Sequence, residues 1–227
     1  MWTVSSGEMT HADLAYSTVG LSAHTDNTYF SEPCGIQMFH MMQHTGTGGW
    51  STFVDGFRIA LEIRRQAPHL FDVLRQTRFA SHYIDHPAKL DMRPDHTYPV
   101  IQAEDVDLDL DAPATGDPLR DAYRGVTLRG IRFNSDDRAP LTAVPSDRVP
   151  DLYAGLQLFS ELARSPELVW RFPMRPGSAV IFDNQRVLHG REAFTGYRRF
   201  IGAYSTRDDW RARLRWFDLH GAAGHPK

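Results

Sequence analysis

The chain has 227 residues and a net charge of −3, with 41% hydrophobic and 23% charged residues, which fits one globular domain with a sizeable core. This weak acidic balance argues against nucleic acid or an anionic membrane surface as a partner. The single cysteine, Cys34, excludes an internal disulfide, no apolar run is long enough to span a bilayer, and residues 1–4 lack the features of a signal peptide.

Short runs rich in β-branched and aromatic residues dominate the chain, and Gly, Pro or Asp bounds them. This pattern is typical of strands. The runs cover residues 36–42, 51–56, 79–84, 125–133, 179–183 and 199–206. A Pro-Gly turn signal at 175–178 precedes the most apolar run.

Two regions predict helices instead. Asp55 can cap a helix over 56–66, after which Pro68 begins a second turn, and 150–164 carries the apolar stripe of a second amphipathic helix. Residues 85–120 hold most of the prolines and an acidic run, so we expect a long loop with one solvated strand. Many strands with two or three flanking helices predict a mainly β sandwich or open barrel with helices on one face.

The tripeptide H-x-D occurs twice, at 11–13 and at 24–26. On an extended strand residues i and i+2 point the same way, so the imidazole and the carboxylate can share one face of a metal ion. A distant histidine would complete a set of two nitrogens and one oxygen, which suits non-haem Fe(II) because positions remain for a co-substrate and O₂. His189, at the end of an apolar run, suits this role. Arg198 on the next strand could bind a dicarboxylate lying across the metal.

Three other patterns have functional and structural interpretations. The GTGG run at 46–49 lacks the Lys-Ser/Thr of a phosphate loop, so we interpret it as a turn. Cys34 stands between a proline and a glycine with no evident base, and we expect a small buried residue, not a nucleophile. His40 and His44 have helical spacing and could bind zinc, but they lie in a predicted strand, where these positions are too far apart for one ion.

Four segments together resemble the 2-oxoglutarate-dependent dioxygenases of carnitine biosynthesis, which act on trimethyllysine and γ-butyrobetaine within the taurine dioxygenase-like superfamily. They are HTDNTYFSEPCGIQMFH, GTGGWSTFVDGF, IRFNSDDRA and FDNQRVLHGREAFTGYRRFIGAYSTRDD. The resemblance covers nearly the whole chain and is weakest over 85–120, a variable insertion. It implies one catalytic domain over 1–227, without an N-terminal part of the family's chain. The implied fold is a double-stranded β-helix (jelly-roll) core with helices packed on the larger of two antiparallel sheets.

The same resemblance implies the roles of individual residues at a metal centre. His24, Asp26 and His189 match the iron ligands. Arg198 matches the arginine that pairs with the far carboxylate of 2-oxoglutarate, while its neighbour Arg199 is structural. Ser51 stands where relatives carry a threonine that binds the same carboxylate, and it keeps the hydroxyl.

Substrate recognition is also implied by the resemblance. The aromatic cage for a trimethylammonium group maps onto Tyr16 and Tyr204, and onto Trp2 with a shift of one residue. Asp13 stands where the butyrobetaine enzyme has asparagine, and a carboxylate there would attract the α-ammonium of trimethyllysine and repel the carboxylate of butyrobetaine. Asn134 matches a residue that binds the substrate carboxylate.

The function implied is hydroxylation of N6,N6,N6-trimethyllysine at C3, the first step of carnitine biosynthesis, with Fe(II), 2-oxoglutarate as co-substrate and ascorbate as reductant. The alternatives are hydroxylation of γ-butyrobetaine, or a truncated, non-catalytic binding module of the same fold. The expected partners are a small quaternary amine and O₂, without nucleic acid or membrane, and the relatives suggest a homodimer. The expected location is intracellular, cytoplasmic or mitochondrial.

Overall fold

The computed structural model of the chain describes residues 1–5, 16–106 and 116–221. The strands are β1 (Trp2–Ser5), β2 (Leu21–His24), β3 (Ile36–His44), β4 (Ser51–Asp55), β5 (Tyr83–Asp85), β6 (Leu90–Met92), β7 (Ile101–Asp105), β8 (Val126–Ile131), β9 (Val169–Phe172), β10 (Ala179–Asp183), β11 (Val187–Arg191) and β12 (Arg198–Ser205). The helices are α1 (Gly56–Gln66), α2 (Pro68–Gln76), α3 (Pro118–Tyr123), α4 (Val149–Leu162) and α5 (Arg207–His220).

Eight of these strands form two four-stranded antiparallel sheets. The first sheet has the order β1-β12-β3-β10 and the second the order β2-β11-β4-β9. The consecutive strands β9, β10, β11 and β12 alternate between the two sheets, which is the winding of a jelly roll. The predicted mainly β fold with a double-stranded β-helix core is therefore confirmed.

The two sheets face each other across an aromatic interior. Phe39 of β3 lies 5.4 Å from the His189 ring of β11, and Phe53 of β4 lies 4.9 Å from Phe182 of β10. Successive side chains of a strand point to opposite faces. Leu188 accordingly packs with the helices on the outer face, while the next residue, His189, points between the sheets.

Helices α1, α2 and α4 cover the outer face of the second sheet, where they share one buried cluster with residues of β4, β7, β8 and β11. Asp55 caps α1 as predicted, because its Oδ1 accepts hydrogen bonds from the backbone N–H groups of Phe57 and Arg58 at 3.0 and 3.4 Å. None of the helices in the described ranges has the length and hydropathy needed to cross a bilayer.

The structure corrects two predicted segments. In 79–84 only isolated bridges form at Phe79 and Ser81, and the strand β5 begins at Tyr83. The region 85–120 is more structured than a loop with one solvated strand. Its described residues, 85–106 and 116–120, include strand β6, which pairs with β5, the first residues of α3 and strand β7, which pairs with β8 and buries Ile101 completely. Pairing with β8 and burial against the helices account for this difference.

Candidate metal centre

His24, Asp26 and His189 come together at one end of the space between the sheets. His24 ends β2 and is the register partner of His189 on β11, so the two rings lie 4.5 Å apart. Asp26 follows in the turn, with Oδ1 3.2 Å from His24 Nε2 and 3.7 Å from His189 Nε2. The candidate ligand atoms all lie within 4.8 Å of one another. The turn, and not a continuous strand as expected, brings the carboxylate to the imidazole.

The Asp26 carboxylate has fixed neighbours on one side only. Its Oδ2 accepts hydrogen bonds from Gln37 Nε2 at 2.7 Å and from the Tyr204 hydroxyl at 2.8 Å. The Asn184 side chain accepts from the Asp26 backbone N–H and donates to the carbonyls of Asp26 and Cys34. Oδ2 is thus occupied by donors and Oδ1 faces the imidazoles. Asn184 thereby supports the chain at this turn.

The orientation of each histidine ring determines which nitrogen faces the candidate metal position. His24 Nδ1 lies 2.7 Å from the carbonyl of Ser22, and because a carbonyl only accepts, Nδ1 carries a proton, so Nε2, which faces Asp26, is the nitrogen that would bind a metal ion in place of its proton. His189 is buried among the rings of Phe39, Phe53 and Phe182.

The charge of Asp26 favours a positive charge at His24, which a proton supplies in the metal-free protein and a metal ion would supply when bound. Burial lowers the pKa of His24, but the hydrogen bond and charge of Asp26 outweigh it and raise the pKa to about 9. Burial, and then the charge of His24, lower the pKa of His189 to about 3. The pKa of Asp26 falls well below its usual range because both imidazoles oppose the effect of its burial. Two imidazoles and one carboxylate on a common face are the donor set of non-haem Fe(II) sites, so these residues fit that metal.

A cavity of about 710 Å³ extends from this centre between the sheets. One part of its wall is aromatic, one part is basic, and one part, from the segment after β8, is polar and acidic. The lining includes Trp2, Tyr16, Tyr29, Phe39, Phe53, Phe200, Tyr204, Ser51, Arg191, Arg198, Asn134, Asp136 and Asp137. A cavity of this size suits a small molecule.

The basic wall holds two of the expected co-substrate residues. Ser51 and Arg198 are both buried and both line the cavity. Burial, followed by the charge of Arg191, lowers the pKa of Arg198 to about 10, which still leaves the guanidinium protonated at neutral pH. The next residue, Arg199, is exposed and does not line the cavity. The structure therefore separates the two consecutive arginines as the sequence suggested.

Arg191 is a residue of this wall that the site prediction did not include. It is buried, and its Nη2 donates to the carbonyls of Ser17 and Val19 at 2.8 and 2.7 Å. These bonds orient the guanidinium while its charge faces the cavity. Its sequence signal was weak, because it follows the conspicuous His189 as one of several arginines in that stretch.

The aromatic wall contains all three expected cage residues. Tyr16 lines the cavity, and the ring of Trp2 lies 5.4 Å from that of Tyr204. Trp2 on β1 pairs with Gly202 on β12, and its indole lies over this glycine. A Cβ atom at position 202 would lie 2.2 Å from the indole. Gly202 is therefore needed for Trp2 to lie in this position.

The polar wall contains Asn134, one of the two expected head-group residues. The segment bearing it is tied to the metal centre, since the Thr25 N–H donates to the Phe133 carbonyl at 2.8 Å and the Phe133 N–H donates to Thr25 Oγ1 at 3.0 Å. Asp13, and with it the alternative H-x-D pair at 11–13, lies outside the described residues.

The three rejected patterns have structural explanations. Gly46 and Gly48 of GTGG pack against the backbone of 193–196, where a Cβ would clash. Cys34 is buried, and burial with the charge of Asp26 raises its thiol pKa far above the usual range. His40 and His44 belong to the strand β3, in which four residues span roughly 13 Å.

Comparison with known proteins agrees with this geometry. Residues 1–204 match the family described as "Taurine catabolism dioxygenase TauD, TfdA family". The mitochondrial trimethyllysine dioxygenase of Rattus norvegicus is 38% identical over 97% of this chain and 48% of its own length. The γ-butyrobetaine dioxygenase of Homo sapiens is 33% identical over 89% of this chain and 48% of its own length. The chain thus spans about half the length of these curated relatives.

Two solved structures share the fold. The asparagine oxygenase in complex with Fe(II), 3-hydroxyasparagine and succinate has a TM-score of 0.59 at 15% identity, covering 92% of this chain and 56% of that one. A taurine dioxygenase from Burkholderia xenovorans has a TM-score of 0.56 at 18% identity, and the match covers 90% of this chain and 64% of that one. At these identities the likeness concerns the fold alone.

Proposed function

This chain belongs to the TauD/TfdA family of dioxygenases, and we propose that it hydroxylates N6,N6,N6-trimethyllysine at C3 in a reaction that consumes 2-oxoglutarate and O₂. The observation that carries the proposal is the cluster of His24, Asp26 and His189 at the end of a cavity with a basic and an aromatic wall. Within Homo sapiens, the identity of this chain to the trimethyllysine dioxygenase, 37%, is greater than its identity to the γ-butyrobetaine dioxygenase, 33%, which supports this choice of substrate.

His24, Asp26 and His189 would hold Fe(II) through two nitrogens and one carboxylate oxygen. When bound, Fe(II) supplies the centre at which O₂ oxidises 2-oxoglutarate to succinate and CO₂ and a C–H group of the substrate is hydroxylated. Gln37 and Tyr204 fill the other carboxylate oxygen, which favours monodentate binding by Asp26. Ascorbate would serve as the reductant that keeps the iron in its ferrous state.

Arg198 would bind the far carboxylate of 2-oxoglutarate, with the Ser51 hydroxyl donating beside it. A guanidinium presents two parallel N–H donors that match a carboxylate. Because Arg198 is 6% exposed, this pair would form away from water, where its strength is greatest. The co-substrate would thus be oriented with its other end toward the metal centre.

Trp2, Tyr16 and Tyr204 would surround the trimethylammonium group. This cation has no N–H to donate, so aromatic faces are its natural partners. Trp2 and Tyr204 already lie against each other on the cavity wall. Asn134 would contact the substrate carboxylate, and a carboxylate side chain, for which the resemblance offers Asp13, would contact the α-ammonium.

A panel of quaternary amines tests the proposal. We expect iron-dependent succinate formation to be fastest with trimethyllysine and slower with γ-butyrobetaine. Faster turnover of γ-butyrobetaine would select the alternative hydroxylase. Binding of trimethyllysine without succinate formation, in protein loaded with Fe(II), 2-oxoglutarate and ascorbate, would select the non-catalytic binding module.

A further inference from the structure

Asp137 is a buried carboxylate on the cavity wall. It is 9% exposed and lies six residues after the end of β8. Its Oδ2 accepts hydrogen bonds from Thr28 Oγ1 at 2.7 Å and from Asn134 Nδ2 at 2.9 Å. Both donors are neutral, so they orient the carboxylate, and the charge of His24 acts on it only through space, without a contact.

No lysine, arginine or histidine within the described ranges forms an ion pair with Asp137, and its Oδ1 accepts no hydrogen bond from them. Burial raises the pKa of Asp137 to about 6, so at neutral pH the group is ionised in an unfavourable setting. Buried charges are normally paired. A buried carboxylate that lines a ligand cavity and has no ion-pair contact indicates a cationic group in the ligand.

The position of Asp137 indicates which cation. An α-amino acid carries its ammonium and carboxylate on one carbon, so the groups that recognise them must be adjacent. Asn134 and Asp137 are hydrogen-bonded neighbours that offer an amide donor and a carboxylate acceptor on the same wall. Thr25, the residue that follows His24, is hydrogen-bonded to Phe133, the residue that precedes Asn134, so this segment lies close to the metal centre. Oxidation at C3 requires the α-carbon to lie near the metal centre, as this placement allows.

We propose that Asp137 binds the α-ammonium of the substrate and, with Asn134, forms a site for the head group of an α-amino acid. This inference rests on the proposed function, because it identifies the substrate of that same cavity. Asp137 selects trimethyllysine over quaternary amines that lack an α-amino group. The neighbouring Asp136 is exposed, and an ion pair there would contribute little.

The test compares trimethyllysine with its deamino analogue, 6-(trimethylammonio)hexanoate, which differs only in the α-amino group. We expect Asp137→Asn to lower kcat/KM for trimethyllysine roughly 10- to 100-fold, since hydrogen bonds to charged groups are strong. The variant should leave kcat/KM for the analogue unchanged or higher. Asp85→Asn is the matched control, because Asp85 is equally buried and held by neutral donors but does not line the cavity.

Asp13→Asn provides the competing outcome. If Asp13→Asn abolishes the preference for trimethyllysine while Asp137→Asn leaves it unchanged, the inference is overturned and the proposed function stands. If the wild type forms succinate with neither compound, the proposed function fails. Calorimetric titration with trimethyllysine then tests Asp137 separately. Weaker binding to Asp137→Asn than to Asp85→Asn would support the head-group site, and equal binding to the two variants would overturn it.

Discussion

The hydroxyl of Tyr204 donates a 2.8 Å hydrogen bond to Oδ2 of Asp26, while the Tyr204 ring lies 5.4 Å from that of Trp2 on the cavity wall. One side chain therefore belongs both to the aromatic wall and to the support of the candidate metal centre. Burial, and then the charge of Asp26, raise the pKa of this phenol, so it remains a donor at neutral pH. The two functions of Tyr204 can be separated by substitution.

Tyr204→Phe keeps the ring and removes the hydrogen bond. We expect affinity for Fe(II) to fall roughly tenfold or more, as is typical when a residue supporting a metal ligand is lost, while KM for trimethyllysine changes little. Tyr204→Leu, which removes the ring as well, should lower the affinity for Fe(II) and raise KM for trimethyllysine. Metal titration and steady-state kinetics on the two variants measure these effects. Unchanged metal affinity in Tyr204→Phe would mean that the hydrogen bond does not position Asp26.

Gln37 is the second donor to Asp26 Oδ2 and is fully buried. Gln37→Leu should lower the affinity for Fe(II) by roughly 10- to 100-fold because Asp26 would lose a fixed orientation. Gln43→Leu, at an exposed position of the same strand β3, is the matched control and should bind metal as the wild type does. Equal affinities in the two variants would contradict the role given to Gln37.

The main elements of the fold were predictable from the sequence because their signals are local. The apolar run of β3, the Asp55 cap and the Pro68 start each depend on neighbouring residues, and the structure confirms them. Helix α5 was missed although Thr206 caps it by accepting from the Asp209 N–H. The helix has no buried residue, so it lacks the clear apolar stripe that marked α4.

Parts of the site depend on contacts that sequence spacing does not encode. Gln37 and Tyr204 meet Asp26 only because β3 and β12 pair with each other in the sheet beside the centre. Asp137 is buried through a turn tied to Thr25 and Thr28, and a lone aspartate in a polar run gave no sign of this. The H-x-D pattern, in contrast, is local. It offered two pairs, and the resemblance selected the pair at 24–26, which meets His189 in the structure.

Arg198→Ala should raise KM for 2-oxoglutarate at least about 30-fold, since breaking a buried charge pair costs about 2 kcal/mol or more. The effect on KM for trimethyllysine should be small. Arg199→Ala is the control, because this neighbour is exposed and outside the cavity. An unchanged KM for the co-substrate in Arg198→Ala would mean that Arg191, and not Arg198, binds the far carboxylate of 2-oxoglutarate.

Asp137 should also make stability depend on pH. Its pKa is about 6 in the folded protein against 3.8 for the unperturbed group, so the folded state binds the proton more tightly. Protonation of Asp137 therefore stabilises the folded state at low pH, and this contribution to the free energy of unfolding is lost as pH rises from 4 to 6. The asparagine of Asp137→Asn does not titrate. The free energy of unfolding of this variant, relative to that of the wild type, should therefore rise by about 2–3 kcal/mol between pH 4 and pH 7.5.

Urea unfolding of the metal-free proteins at both pH values measures this difference. It includes the change that the substitution makes in the titration of His24, because the charges of His24 and Asp137 interact. Asp85→Asn again serves as the control. A stability difference between wild type and Asp137→Asn that does not vary with pH would mean that Asp137 keeps an ordinary pKa in the folded protein.

The most direct test of the proposed function is the stoichiometry of a single reaction, measured by mass spectrometry of the amine together with succinate. With Fe(II), 2-oxoglutarate and ¹⁸O₂, the wild type should form one hydroxylated trimethyllysine carrying ¹⁸O at C3 for each succinate. His24→Ala, Asp26→Ala and His189→Ala should form neither product, whereas His11→Ala should form both. Hydroxylation that survives in His24→Ala and disappears in His11→Ala, or succinate without a hydroxylated amine, would contradict the account.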